Sequence, residues 1–263
     1  MRAIPFVVAA LLIVPGAFAA YITINAQLPE TFTENNTAQA KFAVSNSGDE
    51  TAFSVRTSFR SDITDPVTLF LDKLEPDRNG ETSFVFNISK EILPGRYPMF
   101  VVTEYADANN YPFSAVSMSF LTYRGRTSSD VNGVFEEIKI PKGGSAKARL
   151  KIANSGAADR NVDITVFVPK ELLAGGYDKK LLLKSGEQKY VDVDISSFSA
   201  LQNSTYTIFA AMEYDNSEHY SSVSRGSAAI TKEESVFSDS VLGFAVAILA
   251  AATIAYNVGA RKR

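Results

Sequence analysis

Few residues in this 263-residue chain could do chemistry, because it has one histidine and neither cysteine nor tryptophan. A serine hydrolase needs a base to activate its nucleophile, and only His219 offers an imidazole. His219 falls in Asp215-Asn216-Ser217-Glu218-His219-Tyr220, which reads as a surface loop, and no nucleophile-elbow sequence occurs in the chain. Zinc needs three or four closely spaced Cys, His or carboxylate ligands, and the sequence supplies no such set. Glycine-rich phosphate loops are also missing, so no cofactor, no metal and no catalysis are expected.

Calcium takes oxygen ligands, and two stretches are rich in them: Glu104, Asp107, Asn109 and Asn110, then Glu213, Asp215, Asn216 and Glu218. Their spacing lacks the alternate ligands, central glycine and terminal glutamate of an EF-hand loop, so turn chemistry is the expected use. Recognition remains. The same stretches carry Tyr105, Tyr111, Phe113, Tyr214 and Tyr220, aromatic anchors for a protein or glycan partner beside Asp107 and Asp215. Three N-x-S/T sequons, at Asn35, Asn87 and Asn203, are candidate glycosylation acceptors; those at 35 and 203 fall in predicted loops, whereas Asn87 ends a predicted strand.

The elements that must position these residues come in two copies. Ala40-Lys41-Phe42-Ala43-Val44-Ser45-Asn46-Ser47-Gly48 is echoed 108 residues later by Ala148-Arg149-Leu150-Lys151-Ile152-Ala153-Asn154-Ser155-Gly156. Tyr97, Phe100, Glu104, Tyr105 and Tyr111 recur 109 residues on as Tyr206, Phe209, Glu213, Tyr214 and Tyr220. A period this long is a domain rather than a solenoid repeat. Alternating or apolar runs bounded by Gly, Asn, Asp and Pro predict strands over 21–26, 38–46, 52–59, 67–71, 81–88, 97–105 and 113–123. The second copy predicts 135–140, 146–154, 161–168, 180–183, 188–195, 206–214 and 221–230. Seven short strands per copy imply an all-β fold of two tandem immunoglobulin-like sandwiches, over 20–123 and 134–232. Single helical turns are expected at most over 89–93 and 169–173, and the Asn-Ser-Gly triplets read as hairpin turns exploiting positive φ. Tyr97 and Tyr206 stand where such sandwiches place a tyrosine whose hydroxyl bonds back across a corner. Residues 124–133 are small and polar, which predicts a short linker and an adjustable angle between the domains.

Both ends of the sequence read as membrane signals. Residues 1–19 have Arg2, an apolar stretch and Ala17-Phe18-Ala19, the pattern of a cleaved secretory signal. After a juxtamembrane stretch, 233–240, residues 241–258 carry no charge and span about 27 Å as a helix, so a transmembrane helix is predicted over 241–260. The basic tail 261–263 places that end in the cytoplasm and the domains outside the cell membrane. Gly243, Ala247, Ala251, Ala255 and Gly259 recur every four residues, a small-residue stripe suited to a helix–helix partner in the membrane. Four of the 26 basic residues lie in these terminal segments, which leaves the exported part near −7 and without attraction for nucleic acid. An exported chain of this size without cysteine points to a prokaryotic envelope.

The strand ending in Asn-Ser-Gly, the glycine turns Asn79-Gly80-Glu81 and Ser185-Gly186-Glu187, the Gly95-Arg96-Tyr97 and Thr205-Tyr206 steps, and the Glu-Tyr pairs at 104 and 213 before a serine-rich strand resemble a known group. They are similar to the CARDB-like, immunoglobulin-like modules of archaeal cell-surface and S-layer-associated proteins. Copy two departs by having Asn203-Ser204-Thr205-Tyr206 where copy one has Pro94-Gly95-Arg96-Tyr97. The resemblance implies an adhesion, spacer or scaffold role. The order of signal, sandwich, span and basic tail is also similar to accessory subunits of the protein translocon, which implies the alternative of a single-span partner in an export or glycosylation complex.

Overall fold

A computed structural model describes residues 21–88 and 91–232. The predicted signal, the span with its small-residue stripe, and the tail lie outside the described residues. In chain order the first module contributes β1 (Ile24–Gln27), β2 (Thr31–Thr33), β3 (Thr37–Asn46), β4 (Ala52–Arg60), β5 (Val67–Leu74), β6 (Arg78–Asn87), β7 (Gly95–Ala106) and β8 (Pro112–Tyr123). The second contributes β9 (Val131–Phe135), β10 (Ile138–Pro141), β11 (Ser145–Asn154), β12 (Arg160–Phe167), β13 (Leu172–Gly175), β14 (Lys180–Leu183), β15 (Gln188–Ser197), β16 (Thr205–Asp215) and β17 (His219–Thr231). Among the described residues there is no helix, and hence none long and apolar enough to cross a membrane.

Each module is a two-layer sandwich. In the first, β1-β3-β6 faces β8-β7-β4-β5, with β2 added parallel to β8. In the second, β13-β15-β11-β9 faces β14-β12-β16-β17, with β10 added parallel to β17. The predicted strand at 135–140 is therefore two strands, one in each layer, and the short strand β13 replaces the helical turn expected at 169–173. Burial alternates as the sequence alternates: Ala38, Ala40, Phe42 and Val44 of β3 are buried, as are Ala148, Leu150 and Ile152 of β11. The first core is aromatic, with Phe42 edge-on to Phe59 at 5.0 Å and Phe84 edge-on to Phe86 at 4.5 Å. The second is aliphatic, built from side chains such as Leu150, Ile152, Ile164 and Val193.

The Asn-Ser-Gly triplets hold their loops by side-chain bonding, not by the expected positive φ. Asn46 and Asn154 are the last residues of β3 and β11, both buried, and neither they nor Gly48 and Gly156 have positive φ. Asn46 Oδ1 accepts from the Gly48 N–H at 3.0 Å, and its Nδ2 donates to the Glu50 and Leu74 carbonyls at 2.7 and 3.1 Å. Asn154 repeats this with Gly156 at 3.0 Å and the Ala158 and Leu183 carbonyls at 2.9 and 3.2 Å. Each amide ties the loop it starts to a strand on the opposite layer. Gly48 is required by crowding, because a Cβ there would run into the Tyr21 carbonyl.

Candidate interaction site at the module junction

The two sandwiches dock face to face instead of swinging on a linker. Inner faces take Met99 and Val101 of β7, yet Phe100 between them is buried as well. Phe100 points outward from its own sandwich and stacks on Phe167 of β12. The expected linker is partly strand, since β9 begins at Val131, and Thr127 Oγ1 donates to the His219 carbonyl at 2.8 Å. Two polar clasps close the ends of the contact.

At the first clasp, the predicted surface-loop histidine is instead the first residue of β17 and is buried, with 9% of its surface exposed. The His219 N–H donates to the Pro94 carbonyl at 2.8 Å, and His219 pairs in parallel with Gly95. Gly95 has φ 154°, and a Cβ there would overlap the His219 carbonyl, so only glycine admits this approach. The imidazole stacks on the Tyr97 ring at 3.9 Å and 4°. Its Nδ1 lies 2.7 Å from Asp215 Oδ1 and its Nε2 3.2 Å from Glu213 Oε1. Burial opposes charging of the ring, but the hydrogen bonds and charges of Glu213 and Asp215 together outweigh it and hold the histidine above its ordinary value. Both nitrogens are engaged with carboxylates, which leaves none to take a proton from a serine.

At the second clasp, Glu171 reaches across from the turn before β13. Its carboxylate, 2% exposed, accepts from the Ser114 N–H at 2.6 Å and the Ser114 hydroxyl at 2.7 Å. Ser114 Oγ accepts from the Lys170 N–H at 2.8 Å, and the Tyr111 hydroxyl donates to the Ser199 carbonyl at 3.2 Å. Lys170 also pairs with Glu104, which Arg56 holds at 2.6 Å. The first clasp thus joins the start of β7 to the β16–β17 hairpin, and the second joins the β7–β8 loop and the start of β8 to the β12–β13 turn and the β15–β16 loop.

These facts redistribute the predicted partner residues. Tyr214 is buried, accepts the Asp130 N–H at 3.1 Å and stacks on Tyr220 at 5.0 Å, so it serves its own module. Asp215 serves His219. Asp107 caps its own loop, accepting from the Asn109 and Tyr111 N–H groups at 2.8 Å. Glu104, Glu213 and Asp215 are all paired with cationic or protonatable side chains, and among the described residues no group of three His, Cys, Asp or Glu is placed to hold a metal. Tyr105, half-buried, has its hydroxyl pushed up by burial and then by the Glu171 charge. Tyr111 stays exposed and leans on Phe113 at 5.1 Å.

Between the docked faces lies a groove of about 970 Å³ lined by Asn25, Gln27, Tyr105, Tyr111, Phe113 and Tyr206, among others. Aromatic faces beside amides suit binding by stacking and hydrogen bonding. Glu171 and Ser114 are the residues that sequence reading misses, because neither belongs to a motif. Of the sequons, Asn35 and Asn203 are exposed in loops and Asn87 is exposed at the end of β6.

Tyr97 Oη donates to the Leu93 carbonyl at 2.8 Å, as expected of a corner tyrosine. Tyr206 departs: its hydroxyl accepts the Leu201 N–H at 3.1 Å, beside Asn203 with φ 64°.

No protein-family model matches the chain, and no curated protein matches it. Among solved structures it is similar to Escherichia coli alpha-2-macroglobulin activated by porcine elastase, at 10% identity and TM-score 0.32 over 81% of this chain and 22% of that one. It is similar to the YadV chaperone at 10% identity and TM-score 0.32, over 78% and 98% of the two chains. The periplasmic chaperone SfaE gives 9% identity and TM-score 0.31, over 80% and 100%. The chain spans about a fifth of the length of the macroglobulin. Scores this low carry no argument about activity or ancestry. The strand order carries the class by itself: two immunoglobulin-like β-sandwiches, bridged where β17 pairs with β7.

Proposed function

We propose that this protein is a non-catalytic, membrane-anchored component of the cell envelope that presents its two sandwiches as one rigid unit to a protein or glycan partner. The observation that carries this reading is the aromatic and amide-lined groove between the docked modules. A groove fixed by Glu171–Ser114 and His219–Pro94 contacts is preorganised, so a partner need not pay for ordering it. The predicted secretory signal, the apolar run 241–258 and the resemblance to archaeal surface modules support the envelope setting. Crosslinking in intact cells followed by mass spectrometry tests it. Recovery of envelope polymers or surface proteins, lost on Tyr111→Ala with Phe113→Ala, is the expected result; capture unchanged by both substitutions would reject the groove. Stoichiometric recovery of translocation components, weakened by Ala251→Leu in the small-residue stripe, would instead favour an accessory subunit.

A further inference from the structure

We infer that the end of the second module where β17 leaves the fold rests on the lipid–water interface of the membrane that holds the chain, an inference that depends on the anchoring proposed above. Three segments meet there. The Lys142 N–H donates to the Thr231 carbonyl at 3.2 Å, the Ser197 N–H to the Gly144 carbonyl at 2.8 Å, and the Asn203 N–H to the Ile230 carbonyl at 2.9 Å. The β10–β11 turn, the β15–β16 loop and the exit of β17 therefore form one end of the sandwich.

That end carries exposed apolar side chains, of which Leu201 also borders the groove between the modules. Phe198 is 78% exposed, Leu173 60% and Leu201 42%, on adjoining segments, since Leu173 pairs with Ser196 and the Phe198 N–H donates to the Glu171 carbonyl at 2.9 Å. Lys142 and Lys232, both exposed, flank them. Aromatic and aliphatic tips beside lysines suit the headgroup layer, where rings sit at the boundary and ammonium groups meet phosphates.

The length of the intervening chain selects lipid over other occupants. Eight residues, 233–240, separate Lys232 from the apolar run, and fully extended they reach at most about 28 Å. The end is thus held beside the bilayer at high effective concentration, where a weak apolar insertion suffices.

The absence of tryptophan makes the test direct. The full chain carrying Phe198→Trp is reconstituted in phosphatidylcholine vesicles with brominated acyl chains, beside Leu201→Trp and a control, Val134→Trp. Val134 is exposed on β9 opposite Lys151, six residues along β11 from Ser145 and so about 20 Å from this end. The expected result is blue-shifted, bromine-quenched emission from the 198 and 201 reporters and unquenched emission from the control. Emission at 198 and 201 that is unquenched overturns the inference, and a blue shift without quenching assigns the patch to protein, either a second copy or residues 233–240. Alkaline carbonate extraction separates the two levels: protein retained in the membrane but unquenched sinks this inference alone, whereas released protein sinks the anchoring reading with it.

Discussion

The ring of His219 lies flat on that of Tyr97, 3.9 Å away, with Asp215 and Glu213 on its two nitrogens. One module thereby reads the protonation state of a group in the other. The histidine is held above its ordinary value of 6.5, so it binds a proton more tightly folded than unfolded. Its contribution is complete below about pH 6.5 and fades as pH rises through the raised value. Tyr97 does not compete, because burial and then the Asp215 and Glu213 charges push its hydroxyl up. The unfolding temperature of the two-module unit should therefore fall as pH rises above about 6.5. His219→Asn, which installs the residue that Asn110 provides 109 positions earlier, should flatten that dependence. Thermal unfolding across pH checks this, and a variant that keeps the wild-type slope would assign the effect to other groups.

The Glu171 carboxylate should couple the modules energetically. Glu171→Ala leaves the Ser114 N–H and hydroxyl without their partner, at a cost of about 2–3 kcal/mol. Glu171→Gln keeps one acceptor and should cost about half as much. Urea unfolding of the alanine variant should split into two transitions, one per module, with a smaller slope in each. A single transition at the wild-type midpoint would mean the clasp carries no coupling.

Asn46 and Asn154 offer a paired experiment inside one chain. Each amide bonds three backbone groups or more from a buried position, so Asn→Ala should destabilise its own module by about 2–3 kcal/mol. Asn→Asp should be no better, because it replaces a donating NH₂ with an oxygen facing carbonyls. Chemical denaturation of both single variants checks the symmetry; an effect at one site only would show that the duplicated motif has diverged in role.

Much of the fold is legible because it is local. The alternation through Ala38, Ala40, Phe42 and Val44 fixes both a strand and its inward face, and the 108-residue echo transfers that reading to β11. The docking is not legible, because its determinants are single residues distant in sequence: Glu171 acts 57 positions from Ser114. Two signals were nonetheless present. Met99, Phe100 and Val101 run apolar without alternation, as do Ala210, Ala211 and Met212, which is the pattern of strands covered on both faces. A hydrophilic stretch such as 124–133 looks like a free linker by composition, yet Thr127 hydrogen-bonds to His219 at the junction, and composition does not encode partners. The splitting of 135–140 into β9 and β10 was hidden because both halves are apolar and switch layers at Glu136-Glu137.

Sequon use should follow the long axis that β17 defines. Its thirteen residues make twelve steps of about 3.3 Å and carry the chain about 40 Å from the His219 clasp to the exit at Thr231. Asn35 lies in the β2–β3 turn, whose neighbour Thr33 accepts the Arg124 N–H at the clasp end, so it is far from the exit. Asn203 bonds Ile230 at the exit itself. In a host that glycosylates exported N-x-S/T sites, Asn35 is expected to carry glycan and Asn203 to stay bare, shielded by the membrane surface. Glycopeptide mapping of the native protein checks both. Full occupancy at Asn203 would place a hydrophilic polymer beside Phe198 and Leu201, and that end could not then lie on lipid.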